Sequence, residues 1–142
     1  VKLSTRGRYG LRAMLDIAIN QGDGPVALHN ISERQGISVG YLEQLMVPLK
    51  KEGLIRSVRG AQGGYLLARG SDNITVGDII RALEGPIAPV ACVSEDYPEE
   101  CDRAEGCVTR LVWAKVRDSI AEVLDSLTLD DLIQELKKSS DR

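Results

Sequence analysis

The chain has 142 residues, enough for one core, or for a small domain with an extension that needs a partner to cover it. Hydrophobic residues make up 43% and charged residues 27%, ordinary globular proportions; no apolar run reaches the roughly 18 residues of a membrane span and the N-terminus lacks a secretory pattern, so a cytoplasmic protein without membrane segments is expected. The net charge of -3 conceals a division: residues 1–70 carry ten Lys/Arg against five Asp/Glu, a balance of +5, and residues 71–142 carry eight against sixteen, a balance of -8.

In chain order, a first helix is predicted over Thr5 to Asn20, with Ser4 or Thr5 able to cap it and Leu11, Met14, Leu15, Ala18 and Ile19 as its inward stripe. Gln21 to Pro25 stops it. A second helix over Leu28 to Gln35 ends at Gly36, and Ser38 is placed to cap a third from Val39 to Glu52, closed by Gly53. Pro48 removes one backbone bond from that third helix. Leu54 to Val58 and Gly64 to Ala68 read as short strands around the glycine-rich tip Arg59-Gly60-Ala61-Gln62-Gly63. Two helices across a tight turn, followed by a hairpin, make a helix-turn-helix with a wing. The basic half of the chain is the half that contains it. An acidic second half is repelled by phosphates and suits sensing and assembly.

A fourth helix is predicted over Val76 to Glu84, capped by Thr75 and stopped by Gly85-Pro86. From Thr109 to Leu127 the strongest amphipathic pattern places Val112, Val116, Ile120, Val123 and Leu127 on one stripe. A helix of this length on so small a domain has nowhere to bury its stripe within one chain, which predicts a homodimer with the helix at the interface. Thr128 and Asp131 resemble a capping pair for a last helix to about Lys138. Met14, Met46 and Trp113 are read as packing or dimer contacts. The expected fold is mainly α: a winged helix-turn-helix DNA-binding domain over 1–85, a cysteine loop over 86–108, and a dimerisation helix with a C-terminal helix over 109–142.

The three cysteines, Cys92, Cys101 and Cys107, are the only ones in the chain and fall within sixteen residues of a loop-like, acid-rich stretch. An odd number at close spacing argues for ligation or redox chemistry over a structural disulfide framework. Thiolates are preferred ligands of iron-sulfur clusters, and three on one loop leave a fourth position to another donor. Zinc held by three thiolates, and a simple thiol switch, are the alternatives. Fourth-donor candidates are Glu95, Asp96, Glu99, Glu100, Asp102 and Glu105, a small thiol or water; the single histidine, His29, is read as a helix-terminal residue. A DNA-binding half joined to a cysteine loop points to a sensor that reports metal, redox or cluster status to a promoter.

The segments Leu3-Ser4-Thr5-Arg6-Gly7-Arg8-Tyr9, Ile31 to Ser38, Tyr41-Leu42-Glu43-Gln44-Leu45, Ser57-Val58-Arg59-Gly60 and Gly63-Gly64-Tyr65-Leu66-Leu67 resemble the Rrf family of bacterial winged-helix transcription regulators, and most of all its iron-sulfur cluster-regulating members. The resemblance spans nearly the whole chain. It implies a dimer with crossing C-terminal helices, each cysteine loop near the partner's DNA-binding domain, a double-stranded DNA operator, and an iron-sulfur cluster on Cys92, Cys101 and Cys107, [2Fe-2S] before [4Fe-4S] and prone to loss on purification. Cluster-assembly or sulfur-metabolism genes are the implied targets. The chain departs from that pattern in two ways: the cysteine spacing of nine and then six residues has a longer first gap, and Arg110, which cannot ligate, stands where a histidine is usual.

For DNA contact, Ser38, Val39, Gly40, Tyr41, Glu43 and Gln44 lie on the first turns of the recognition helix, where Glu43 can accept from a cytosine amino group. Arg59, with Gly60 beside it at the wing tip, suits a narrow minor groove. Arg6 and Arg8 read equally as phosphate contacts or a solvated basic face. Two rival readings remain. One is a family member that takes its signal from a partner enzyme or thiol oxidation, without a cluster. The other, an enzyme or electron carrier, finds no phosphate loop and no nucleophile paired with a base.

Overall fold

The computed structural model describes residues 3–90, 93–95 and 108–140. Among these, six α-helices and one antiparallel hairpin follow in the order α1 (Thr5–Asn20), α2 (Leu28–Gln35), α3 (Val39–Lys51), β1 (Ile55–Val58), β2 (Gly64–Leu67), α4 (Val76–Glu84), α5 (Val108–Ser126) and α6 (Leu129–Ser140). The mainly α, winged-helix architecture is the one expected, with helix bounds within one or two residues of their caps and stops.

The inward face of α1 is the expected one in part, with Leu11, Leu15 and Ala18 packed against the core beside Met14. Gly7, Gly10, Ala13, Met14, Asp16 and Ile17 are buried, whereas Ile19 is exposed and Leu11, Leu15 and Ala18 are half-buried. Two glycines on that face let α4 approach: a Cβ at Gly10 would lie 1.9 Å from Leu83 Cδ1. A count of apolar side chains gives such glycines no weight, so it misses that part of the face. The expected cap also differs. The backbone N–H of Ser4 donates to Glu84 Oε1 at 2.7 Å and its hydroxyl donates to the same oxygen, so α1 is tied at its start to the end of α4.

The helix-turn-helix follows local chemistry. Gly36 adopts the left-handed conformation (φ 67°, ψ 34°) that ends α2 at no side-chain cost. Ser38 then accepts the backbone N–H of Tyr41 at 3.2 Å and starts α3. On α3, Leu42, Leu45, Met46 and Leu49 face the core, joined there by Met14, Ile17, Ile31, Ile55 and Ile79. The hairpin pairs Ile55 with Leu67 and Val58 with Gly64. Its second strand is extended by a bridge from Tyr65 to Val26, with both backbone bonds at 2.9 Å.

Thr75 and Asp78 form a capping box that starts α4. Helix α5 contains no buried residue; Ile120 and Leu124 are half-buried beside Ile80 and Pro86, while Val112 and Val123 remain 51% and 58% exposed. The predicted stripe thus divides, with Ile120 on the chain's own domain and Val112, Val123 and Leu127 outward. A second capping box, Thr128 with Asp131, starts α6. Leu129 is fully buried in the same core as α1 to α4, and Val76 N–H to Leu127 O (2.8 Å) with Leu129 N–H to Ile74 O (3.0 Å) stitch that return.

Candidate nucleic-acid interface and cysteine segment

Leu42, Leu45, Met46 and Leu49 of α3 point inward and leave the opposite face outside. Ser38, Val39, Gly40, Glu43 and Gln44 are exposed together on that face. Tyr41 is half-buried, because its ring meets Tyr9 of α1 edge to face with centroids 6.0 Å apart. Arg12 lies over the Tyr9 ring at 5.3 Å and Arg8 at 6.0 Å, so a basic edge of α1 sits beside the start of the recognition helix. Arg6 and Arg8 are both exposed.

A polar latch that the sequence reading missed fixes α2 against α1. Asp16, only 3% exposed, accepts Arg34 Nε at 2.9 Å, Arg34 Nη2 at 2.7 Å and Gln35 Nε2 at 2.9 Å. Asn20 Nδ2 donates to the Asp16 backbone carbonyl at 2.9 Å, and Arg12 donates to the Gln35 side chain at 3.2 Å. Burial by itself would raise the Asp16 pKa; the hydrogen bonds from Arg34 and Gln35, then the Arg34 charge and Asn20, overcome it and hold the carboxyl below the ordinary range. The available signal was an acid between Leu15 and Ile17 on a helix whose neighbours are apolar.

At the wing, Arg59 and Gly60 are exposed at the tip. Gly60 has φ 109°, a region that L side chains rarely adopt, and its carbonyl accepts Gly63 N–H at 3.0 Å. A Cβ at Gly63 would fall 2.2 Å from the Val58 carbonyl oxygen, so the tight tip requires glycine there. Arg56 on β1 is exposed, and Lys50 of α3 donates to Ser57 Oγ at 3.0 Å, which ties the recognition helix to the wing. The exposed positions of α3 and the wing arginines all lie within residues 1–70, which carry the positive balance.

Cys92, Cys101 and Cys107 lie outside the described residues, as do Asp96, Glu99, Glu100, Asp102 and Glu105. Glu95 is described, and it is engaged. Arg81 of α4 donates to its two carboxylate oxygens at 3.0 and 2.8 Å, and the backbone N–H of Ile87 donates to Glu95 Oε1 at 2.6 Å. The Arg81 bonds first, with the Ile87 bond and the Arg81 charge behind them, lower the Glu95 pKa against a desolvation cost. Glu95 would have to break three bonds to serve as a fourth ligand. His29 is exposed at the start of α2, in a cleft shared with Arg34 and Gln62. By donor chemistry, three thiolates suit an iron-sulfur cluster.

A family profile described as Rrf2, iron-dependent transcriptional regulator, matches residues 3–135. The transcriptional regulator CymR of Bacillus subtilis is 47% identical over 132 residues, 93% of this chain and 89% of that protein. The transcriptional regulator IscR of Pectobacterium atrosepticum is 43% identical over 133 residues, 94% of this chain and 79% of the relative. Among solved structures, that of T. potens IscR is similar with a TM-score of 0.80 at 50% identity, covering 98% of this chain and 90% of that one. These relatives are transcriptional regulators and not enzymes. Among the described residues, no helix is long and apolar enough to cross a membrane. The chain belongs to the Rrf2 family of DNA-binding transcription regulators.

Proposed function

We propose that this chain is a homodimeric, cytoplasmic regulator that binds a double-stranded DNA operator and whose occupancy is changed by an iron-sulfur cluster on Cys92, Cys101 and Cys107. The observation that carries the DNA part is the joint exposure of Ser38, Val39, Gly40, Glu43 and Gln44 on a helix whose other face is locked into the core. In this reading those side chains read base edges in a major groove, Tyr41 holds the helix on α1 through Tyr9, and Arg59 with Gly60 reaches the adjacent minor groove. The 1–85 segment is the DNA-binding unit, 86–108 the cysteine loop and 109–142 the assembly segment.

The exposed apolar side chains of α5 support the dimer: Val108, Leu111, Val112, Trp113 and Val123 are all more than two-fifths exposed in one chain. A second copy crossing α5 covers them. The cluster reading is supported by three thiolates within sixteen residues and by likeness to IscR. When bound, the cluster supplies a charge and a redox state that respond to oxidants, with [2Fe-2S] ahead of [4Fe-4S]. Genes of cluster assembly or sulfur metabolism are the proposed targets.

The 47% identity to CymR favours a second reading, in which a partner enzyme or thiol oxidation sets DNA binding without a cluster. Selection of binding sites from random duplexes, with cluster-loaded and stripped protein side by side, tests the function. The first reading expects one enriched motif whose affinity depends on loading. Loading-independent affinity, with binding altered by a thiol oxidant or by a co-purifying enzyme, establishes the second.

A further inference from the structure

Arg81 occupies an unusual junction. Its guanidinium spans two carboxylates from different parts of the chain: Glu95, between Cys92 and Cys101 in sequence, and Asp125 near the end of α5. Nη1 is 2.6 Å from Asp125 Oδ1, Nη2 is 3.0 Å from Asp125 Oδ2, and Nη2 and Nε bind Glu95 at 2.8 and 3.0 Å. Both carboxylates, Asp125 first, raise the Arg81 pKa well above its ordinary value. One turn earlier on α4, a Cβ at Gly77 would lie 1.9 Å from Asp125 Oδ1, so this glycine leaves the opening through which Asp125 reaches Arg81.

The segment beyond α4 closes on itself at the same place. Ile87 N–H donates to the Glu95 carboxylate and Glu95 N–H donates to the Ile87 carbonyl at 3.3 Å, while Ile87 and Val93 are buried. Arg117 of α5 donates to the Val93 carbonyl at 3.2 Å. Helix α4 in turn packs on α1 and α3. A shift of Glu95 is therefore felt by α4 and by α5 together, since one side chain is shared by all three. Bidentate geometry makes the joint directional: a guanidinium holds a carboxylate in one plane, which a point charge cannot do.

We propose that Arg81 is the positioning residue that couples the state of the cysteine segment to the DNA-binding domain and to α5, with Glu95 and Asp125 as its two arms. This rests on the sensor reading above, in either its cluster or its thiol form. A change at the cysteines that displaces Glu95 frees one side of the guanidinium, and α4, which bears on the recognition helix, moves relative to α5.

The test uses the full chain reconstituted anaerobically with ferrous iron and sulfide, then stripped by a chelator. Operator affinity is measured in both states for wild type, Arg81→Gln, Arg81→Lys and Glu95→Gln, beside iron and sulfide content and thermal unfolding. A loaded-to-stripped affinity ratio in the usual coupling range of about 5–150-fold for wild type should fall to less than about threefold in Arg81→Gln and Glu95→Gln. Arg81→Lys, which keeps charge but loses the fork, should fall part of the way. Folded, loaded variants that keep the wild-type ratio would overturn the proposal and leave the sensor reading standing. A wild-type ratio of one, repeated with a thiol oxidant in place of cluster loss, would overturn both. Should the variants fail to fold or load, amide hydrogen exchange on the wild-type chain decides: loading should change protection of Ile87 and of α5 near Asp125, and equal protection in the two states would refute the coupling.

Discussion

Arg34 on α2 holds the buried Asp16 of α1 by a two-point pair, Nε to Oδ2 at 2.9 Å and Nη2 to Oδ1 at 2.7 Å. The pair ties the first helix of the helix-turn-helix to α1, and that helix in turn packs on α3. Because folding lowers the Asp16 pKa, its ionised form contributes stability fully above the unfolded-state value of roughly 3.9, and that contribution disappears as pH falls through the lower folded-state value. Arg34 is 40% exposed, so solvent screens the pair. Asp16→Asn should cost about 1–2 kcal/mol at pH 7, and the gap to wild type should close as pH falls below about 4. Urea unfolding between pH 3 and 7 measures it; a gap independent of pH would assign the loss to packing.

Arg59 stands exposed beside Gly60, whose positive φ shapes the wing tip. Arg59→Ala should weaken operator binding by about 1–3 kcal/mol without moving the unfolding midpoint. Titration of labelled operator at fixed salt checks this. Unchanged affinity would remove the wing from the readout.

Gly10 tests the close approach of α1 and α4. A methyl there meets Leu83 Cδ1 at 1.9 Å, inside a packed core, and Leu83 must move. Gly10→Ala should destabilise the chain by about 1–3 kcal/mol through overpacking, although alanine is the better helix former. A neutral or stabilising result in chemical denaturation would mean that Leu83 rearranges freely.

The outward stripe of α5 gives a test of assembly. Val112→Glu with Val123→Glu puts charge where a second copy is proposed to cover apolar surface. Sedimentation should then report a monomer in place of a dimer, with operator affinity reduced because two half-sites are no longer read together. An intact dimer would move the interface elsewhere.

Much of this fold was legible because its punctuation is local. Gly36, Ser38, Thr75 with Asp78, and Thr128 with Asp131 start or stop helices through bonds within a few residues, and the helix bounds follow them. Hydrophobic counting found Met14, Leu11, Leu15 and Ala18 on the core side of α1 but not the part of that face built of Gly7 and Gly10, and it could not foresee that Ile120 and Val123 of one stripe would separate. Long-range polar pairs were hidden for a different reason. Asp16 with Arg34, and Arg81 with Glu95 and Asp125, join residues 14 to 44 positions apart, and no periodicity announces such partners. Ser38, Val39, Gly40, Glu43 and Gln44 were legible as an exposed set because a capped amphipathic helix fixes which side faces out. Tyr41 lies on the same first turns, and its contact with Tyr9 gives it a packing role as well.

The most direct measurement is anaerobic purification followed by a visible absorption spectrum, iron and acid-labile sulfide counts per chain, and operator affinity before and after chelation. On the cluster reading, charge-transfer bands appear with iron and sulfide in stoichiometric amounts and are lost in Cys92→Ala, Cys101→Ala and Cys107→Ala, and operator affinity changes when the cluster is removed. A colourless protein that stays free of iron after reconstitution, and binds its operator equally well under both treatments, would contradict it.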